Sequence, residues 1–351
     1  MGVPMKSRLL LLIATVSASL TLAACGGGSS GGSGGTGTGT ASFSVTDAPA
    51  DDVDNVFITF DRVDIKPQDG EILTFELDEP RQIDLLSLQG TNAAPLLEDI
   101  ELPAGDYNFV RLFIDGGCES GGTCVSESGS TDSYVTETAG GQFGVFIPGD
   151  QPPSRNPNDR FVQLVSPFTI TAGGNADFTI DVDLRKALVK IDGGPPATDP
   201  YYLLRPALRI VDNSEVGSIT GTVGDLLVMD ETTCSGNLSS DEGNAVYLYA
   251  GSNATPGDVF VDEQGDPRTR TDDAAPPITV ANVRQNETSG NFEYTIGFVP
   301  AGEYTVAFTC QAVDDDPAAE DMVIFEPQKN VTVQEGQPST VDFAASDIAA
   351  E

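Results

Sequence analysis

Oxygen and sulfur ligands, with no imidazole, are what this sequence offers for chemistry. Of its 351 residues 54 are Asp or Glu, five are Cys and none is His. Without His there is no Ser-His or Cys-His nucleophile pair, no imidazole zinc site and no side chain whose ordinary pKa lies near neutrality. Carboxylates remain. Asp47, Asp51, Asp52 and Asp54 gather in one stretch, and Asp314, Asp315, Asp316, Glu320 and Asp321 in another. Hard oxygen ligands at that density can hold Ca²⁺, and the first run is the expected metal set, although neither has the spacing or central Gly of an EF-hand loop. The competing reading is two solvated acidic loops. A carboxylate-pair hydrolase would need one pair to stand out. Acids are everywhere, none does, and the expectation is a protein that is not an enzyme, with no catalytic residues and no cofactor besides Ca²⁺.

Sulfur leads to location. Cys25 follows a short basic segment with Lys6 and Arg8, an apolar stretch from Leu9 to Leu22, and the small residues Ala23 and Ala24. Residues 1–24 read as a secretory signal peptide, too short and too interrupted to span a membrane. Leu22-Ala23-Ala24-Cys25 resembles a bacterial lipobox. That resemblance implies diacylation of the Cys25 sulfur, cleavage before it and acylation of the new amino terminus. Two or three chains at ~0.8 kcal/mol per buried methylene would make the attachment permanent. Gly26 stands where an inner-membrane retention signal would place Asp, so the same resemblance implies the outer membrane. From Gly26 to Thr40 the chain contains only Gly, Ser and Thr, a flexible tether with a reach of roughly 20 Å. Two motif strings inside it, Gly31 to Gly35 and Gly32 to Gly37, match a nucleophile elbow and a dinucleotide loop, but neither lies between a strand and a helix.

The other cysteines, Cys118, Cys124, Cys234 and Cys310, allow three pairings. An oxidising compartment and containment of each pair within one domain favour Cys118 with Cys124 and Cys234 with Cys310. The glycines around Cys118 and Cys124 suit a stapled hairpin tip better than a redox or metal motif, which would have two-residue spacing.

The formal charge is −37, and the leader removes two bases and no acids, so the exported part is more acidic still. Such a surface repels nucleic acid and anionic headgroups and favours solubility or divalent counter-ions. Residues 213–351 carry 25 acids against four bases.

The elements that must position these residues read as strands. Phe43 and Val45, then Val56, Ile58 and Phe60, then Leu73, Phe75 and Leu77 alternate with polar partners, and Pro67-Gln68-Asp69-Gly70 punctuates them. After Phe60 the apolar parity slips to Val63 and Ile65, which predicts a bulge at Asp61-Arg62. Leu85 to Leu88 and Ala94 to Leu97 are expected to form short helical turns. Phe178, Ile180, Val182 and Leu184 alternate with Asp177, Thr179, Asp181 and Asp183, predicting one buried and one acidic face. Tyr202 to Val211 reads as a last strand that Pro206 places at an edge or interrupts.

Ser44-Val45-Thr46-Asp47-Ala48-Pro49, Ile83-Asp84-Leu85-Leu86, Leu102 to Tyr107 running into Val110-Arg111-Leu112, Asp181 to Lys186, and Leu204-Arg205-Pro206 together resemble the bacterial domain of unknown function 4382. The resemblance covers about residues 41 to 212 and implies an all-β domain of envelope lipoproteins, with no catalytic residues to carry over.

Beyond Val216, the runs Gly217 to Val223, Ala245 to Tyr249, Gly290 to Tyr294 and Val299 to Val306 resemble a carboxypeptidase regulatory-like, prealbumin-type β-sandwich. Val331 to Val333 and Thr340 to Phe343 would close it as a hairpin turning at Gly336. An acidic insertion, Gly251 to Pro277, departs from that pattern and reads as a mobile loop. Tyr247 and Tyr249 share parity and could be exposed together for carbohydrate or matrix recognition, or else pack on the core. Pro-Ala-Gly-acid-Tyr occurs twice, at Pro103 to Tyr107 and Pro300 to Tyr304, and reads as turn chemistry: Gly supplies a positive φ and Tyr an inward strand position.

The expectation is therefore an all-β chain of two β-sandwich-like domains in tandem, 41–213 and 214–351, behind a signal peptide (1–24) and a lipidated tether (25–40). Its expected role is a non-catalytic binding or structural module at the outer membrane, on its periplasmic or cell-surface face. Expected partners are the membrane through the lipid, a glycan or an envelope protein, and no nucleic acid.

Overall fold

A computed structural model describes residues 37–50, 52–118, 124, 130–148, 160–194, 199–229 and 243–348. Cys25, most of the tether, Asp51 and Cys234 lie outside them. The first half contains β1 (Thr38–Ala48), β2 (Val53–Pro67), β3 (Leu73–Asp84), β4 (Ala94–Pro103), β5 (Gly105–Ile114), β6 (Tyr134–Glu137), β7 (Gln142–Phe146), β8 (Phe161–Leu164), β9 (Phe168–Ile170), β10 (Asn175–Asp183), β11 (Leu188–Ile191), β12 (Tyr201–Leu204) and β13 (Leu208–Asp212). The second half contains β14 (Val216–Val223), β15 (Ala245–Ala250), β16 (Thr279–Asn282), β17 (Arg284–Gln285), β18 (Phe292–Pro300), β19 (Gly302–Thr309), β20 (Gln328–Val333) and β21 (Pro338–Thr340).

In the first half a four-stranded sheet, ordered β13-β10-β1-β4, faces a nine-stranded one running β11-β12-β7-β6-β2-β5-β8, with β3 and β9 added on β2 and β5. Alternation makes this possible: Phe43, Val45, Ile58, Ile65, Phe178 and Ile180 all point into one buried core. Phe43 stacks on Phe178 at 5.3 Å and meets the edge of Phe168 at 5.8 Å. β1 and β10 are parallel, from Thr40 opposite Asn175 to Ala48 opposite Asp183. The predicted bulge is present, because the ladders of β2 with β3 and with β5 both shift register between Phe60 and Arg62.

The second half is a sandwich of two four-stranded sheets, β17-β18-β14-β21 and β16-β15-β19-β20, around Ile219, Val246, Leu248, Phe292, Val306 and Phe308. Only three residues separate β13 from β14, and Gly35–Glu351 forms one compact unit.

Several expectations are corrected. Leu85–Leu88 is a helical turn, but Ala94 to Leu97 opens β4, pairing with Phe43, Ser44 and Val45: the free edge of β1 offers backbone partners that a turn could not. Of the two effects expected of Pro206 the structure has the interruption: the last run of the first half is two strands, and the chain crosses between sheets at Pro206. β20 and β21 are not a hairpin, for they join opposite sheets, although Gly336 does occupy the turn between them with φ 64°. The acidic face of β10 is only partly solvated: Asp177 is exposed, but Asp181 and Asp183 are buried. The insertion after Gly251 is an ordered cover rather than a mobile loop, because its Val259 and Val261 pack with Tyr247 and Tyr249 on the outer face of the β15 sheet.

Both Pro-Ala-Gly-acid-Tyr strings are corners at which the chain crosses from one sheet of its sandwich to the other, β4 to β5 and β18 to β19. Tyr107 donates to the Pro103 carbonyl at 2.7 Å and Tyr304 to the Pro300 carbonyl at 2.8 Å. Gly105 supplies the expected positive φ, at 144°. Gly302 does not; its lack of a Cβ leaves room for the Tyr304 ring, which a Cβ would meet at 3.3 Å.

Candidate functional site at the seam between the sandwiches

Three of the resemblance strings of the first half, Ser44–Pro49, Asp181–Lys186 and Leu204–Pro206, supply residues to its boundary with the second. Asp183 ends β10 and its carboxylate accepts the Lys186 N–H, capping the short helix Leu184–Ala187. That turn aims two cations outward. Lys186 Nζ pairs with Asp183 Oδ2 at 2.7 Å and donates to the Pro277 and Ile278 carbonyls at 3.1 and 2.7 Å. Arg185 donates to the Ala312 carbonyl at 2.8 Å. From the strand beyond Pro206, Arg209 holds Asp181 Oδ2 at 2.6 and 2.7 Å and reaches the Phe298 carbonyl at 3.4 Å. Close backbone contact accompanies the charges: a Cβ on Gly297 would collide with the Gly90 carbonyl, and one on Gly265 would lie 2.7 Å from Ala207 Cβ. The side chains that a strand pattern assigns to solvent thus bind one sandwich to the other.

Between them lies a cavity of about 200 Å³, lined among others by Thr46, Asp47, Gln89, Asp181, Arg209 and Tyr294. Asp47 and Asp181 are 5% and 3% exposed. Oδ1 of Asp181 and the Gln89 amide nitrogen are buried without a hydrogen-bond partner, whereas Asp47, opposite Val182 on the core side of the β1–β10 ladder, has the Leu184 N–H beside its carboxylate. Burial, then the nearby Asp181 and Asp183, push the Asp47 pKa well above its usual value. The other acids nearby are satisfied: Asp84 accepts from Asn55 and the Val56 N–H, and Asp183 holds Lys186.

A second group of acids lies under the cover. Asp258, Asp315 and Asp321 bring carboxylate oxygens within 4.8 Å of one another, the one such group among the described residues. The protein's own donors occupy much of it. Arg270 pairs with Asp258 Oδ1 at 2.6 Å, and Asp258 Oδ2 accepts the Asp321 N–H at 2.7 Å. Asp315 accepts from the Tyr247 hydroxyl at 2.7 Å and the Val259 N–H at 3.1 Å. Burial lifts the Asp315 pKa to about 6. This knot pins the cover to the sheet.

Of the first acidic run, Asp47 is buried, Asp52 and Asp54 are exposed, and Asp51 lies outside the described residues. Of the second run, Asp315 and Asp321 meet, with Asp258 as a third member that sequence spacing did not reveal. The signal available was Arg268 and Arg270, two of only four bases in a strongly acidic half. Tyr247 and Tyr249 are fully buried, their hydroxyls on Asp315 and the Gly257 carbonyl, so that pair is not an exposed glycan platform. Cys118 and Cys124 form a disulfide. Cys310 is disulfide-bonded as well, while Cys234, its expected partner, lies outside the described residues.

A leucine-rich repeat protein from Bacteroides thetaiotaomicron is 10% identical over 88% of this chain and 26% of its own, with a TM-score of 0.18. The minor pilin of Streptococcus agalactiae is 12% identical over 86% of this chain and 94% of its own, TM-score 0.18. An adhesin-like protein from Bacteroides ovatus is 9% identical over 88% and 91%, TM-score 0.19. The chain spans 26% and 33% of the length of the leucine-rich repeat protein and of the TIE protein of Bacillus anthracis. No curated protein matches the sequence. Residues 38–206, which hold β1 to β12 and the seam cations Arg185, Lys186 and Arg205 but not β13 or Arg209, match the family model described as a domain of unknown function, DUF4382.

Proposed function

We propose that this chain is a lipid-anchored protein of the outer membrane whose two sandwiches act as one stiff, non-catalytic module, holding a binding or structural surface away from the bilayer. The observation that carries the reading is the seam: four cations of the first sandwich, Arg185, Lys186, Arg205 and Arg209, reach carbonyls of the second across a three-residue connection. A hinge built for substrate closure would leave such groups in water. Here they are buried or half-buried, and the tandem behaves as a single strut at the end of the Gly-rich tether. The second sandwich is read as the prealbumin-type module that its strand strings resemble. An envelope protein is the partner class that suits a spacer of this kind.

Two measurements test the reading. Cys25→Ser should move the protein from the detergent phase of a membrane extract to the aqueous phase; persistence in the detergent phase overturns the anchor. Limited proteolysis of the purified protein should spare residues 213–215, and ready cleavage there into two stable halves overturns the strut.

A further inference from the structure

We propose that the cavity between the sandwiches is a binding site for a single neutral sugar ring, with Asp181 and Gln89 holding its hydroxyls and Phe298 as its apolar wall. Such a site depends on the closed seam and not on the lipid anchor. Arg209 takes Oδ2 of Asp181, but Oδ1 is buried and unpaired, and so is the amide nitrogen of Gln89. Asp181 is 3% exposed, and both residues line the cavity. One orphan atom accepts and the other donates. A buried polar atom without a partner is costly, so the cavity lacks a group that can do both, and a hydroxyl is such a group. The charges select against ions. Arg209 already answers the Asp181 carboxylate, so a cation would find one free oxygen, and an anion would meet Asp181 and Glu293, which also lines the cavity.

Phe298 supplies what a sugar needs besides hydrogen bonds. It lines the same cavity, is half-buried, and belongs to none of the hydrophobic clusters of either sandwich. Its φ of 51° is rare for a bulky residue and accompanies a bulge in which Gly297 and Phe298 together oppose Ser218. Bulges re-aim side chains, and an aromatic ring beside unpaired polar atoms offers a flat surface to the C–H face of a pyranose. Tyr247 and Tyr249 cannot do this, since the cover seals them. Size limits the ligand: about 200 Å³ is below the roughly 300–1,000 Å³ of sites for drug-sized molecules, so the cavity takes one ring, such as the end of a glycan, rather than a peptide strand. Arg284 on β17 is exposed and lines the cavity as well, which marks the way in.

The test uses the full mature chain with free glucose, galactose, mannose and N-acetylglucosamine, followed by an array of neutral glycans. Saturation-transfer NMR should detect at least one of these sugars, with a dissociation constant on the order of 1 mM, as suits a ligand of few atoms. The bound sugar should slow hydrogen exchange at Gly90 and at residues 295–298. Gln89→Glu, which replaces the donor by an acceptor, and Phe298→Leu should each weaken binding on the order of tenfold or more, while Tyr107→Phe, at a corner outside the cavity, should leave it unchanged. A chain that binds none of the sugars overturns the proposal and leaves water as the occupant of the cavity. Protease resistance at residues 213–215 in the same sample separates that failure from failure of the strut. Binding that survives either cavity variant in a folded chain, or that slows exchange only elsewhere in the unaltered one, also overturns it.

Discussion

Lys186 of the first sandwich donates to the Ile278 carbonyl of the second at 2.7 Å, and the same ammonium is 2.7 Å from the Asp183 carboxylate of its own side. One buried cation therefore satisfies an acid at home and backbone groups abroad. Removing it strands both, and leaves Asp183 as an uncompensated charge in a place that water does not reach. Lys186→Met is expected to cost about 3 kcal/mol, in the range for breaking a buried pair from one side. It should also split one cooperative denaturant transition into two. A loss under about 0.5 kcal/mol with a single transition would show that the seam does not couple the halves.

Gly297 packs against the Gly90 carbonyl with no room for a side chain. Gly297→Ala should force the backbones apart and cost about 1–3 kcal/mol, as overpacking does. Because the clash lies between the halves, protease sensitivity at residues 213–215 should rise with it. Thermal melts and a cleavage time course check both parts.

The paired tyrosine corners make a symmetric prediction. Tyr107→Phe and Tyr304→Phe each delete one hydroxyl that donates to a proline carbonyl four residues earlier. Each should cost about 1 kcal/mol by urea denaturation, and the double variant about the sum, since the corners belong to different sandwiches. A much larger loss at one corner would mean that the two strings do different work.

Asp315 sets a pH dependence. Its carboxyl is lifted from 3.8 to about 6 by burial, so between those values the folded chain holds a proton that the unfolded chain releases. Stability from this group is then full below about pH 4, falls as pH rises to about 6 and is level above, a loss of about 3 kcal/mol at roughly 1.4 kcal/mol per pH unit. Asp315→Asn, which can still accept from Tyr247, should flatten that slope in melts between pH 4 and 7. An unchanged slope would assign it to other carboxyls.

Local periodicity carried the strands a long way. The bulge at Asp61-Arg62, the turn at Leu85 and the tyrosine corners were all visible, because each is set by neighbours within a few residues. What periodicity could not show was which second surface covers a polar face. Asp181 and Asp183 alternate with Ile180 and Val182 as surface acids do, and only docking of the second sandwich buries them. Tyr247 and Tyr249 are the same case, hidden by an insertion whose Val259 and Val261 are too sparse to announce a core. The Asp258 group escaped notice because its members come from two loops more than fifty residues apart. Ala94 to Leu97 misled because pairing with the open edge of β1 outweighs a local preference for a turn.

The parallel pairing of β1 with β10 imposes an order on assembly. Chains are made, and threaded across membranes, from the amino end, so Phe43 and Val45 emerge well before Phe178 and Ile180, their partners across the ladder. Throughout that interval an apolar strand waits with one edge open, and non-local pairing of this kind is slow to form. The newborn first sandwich is thus most vulnerable to sticking to its own copies before residue 183 appears, and a holding chaperone that favours short Phe- and Val-rich segments would find its natural client in Thr38–Ala48.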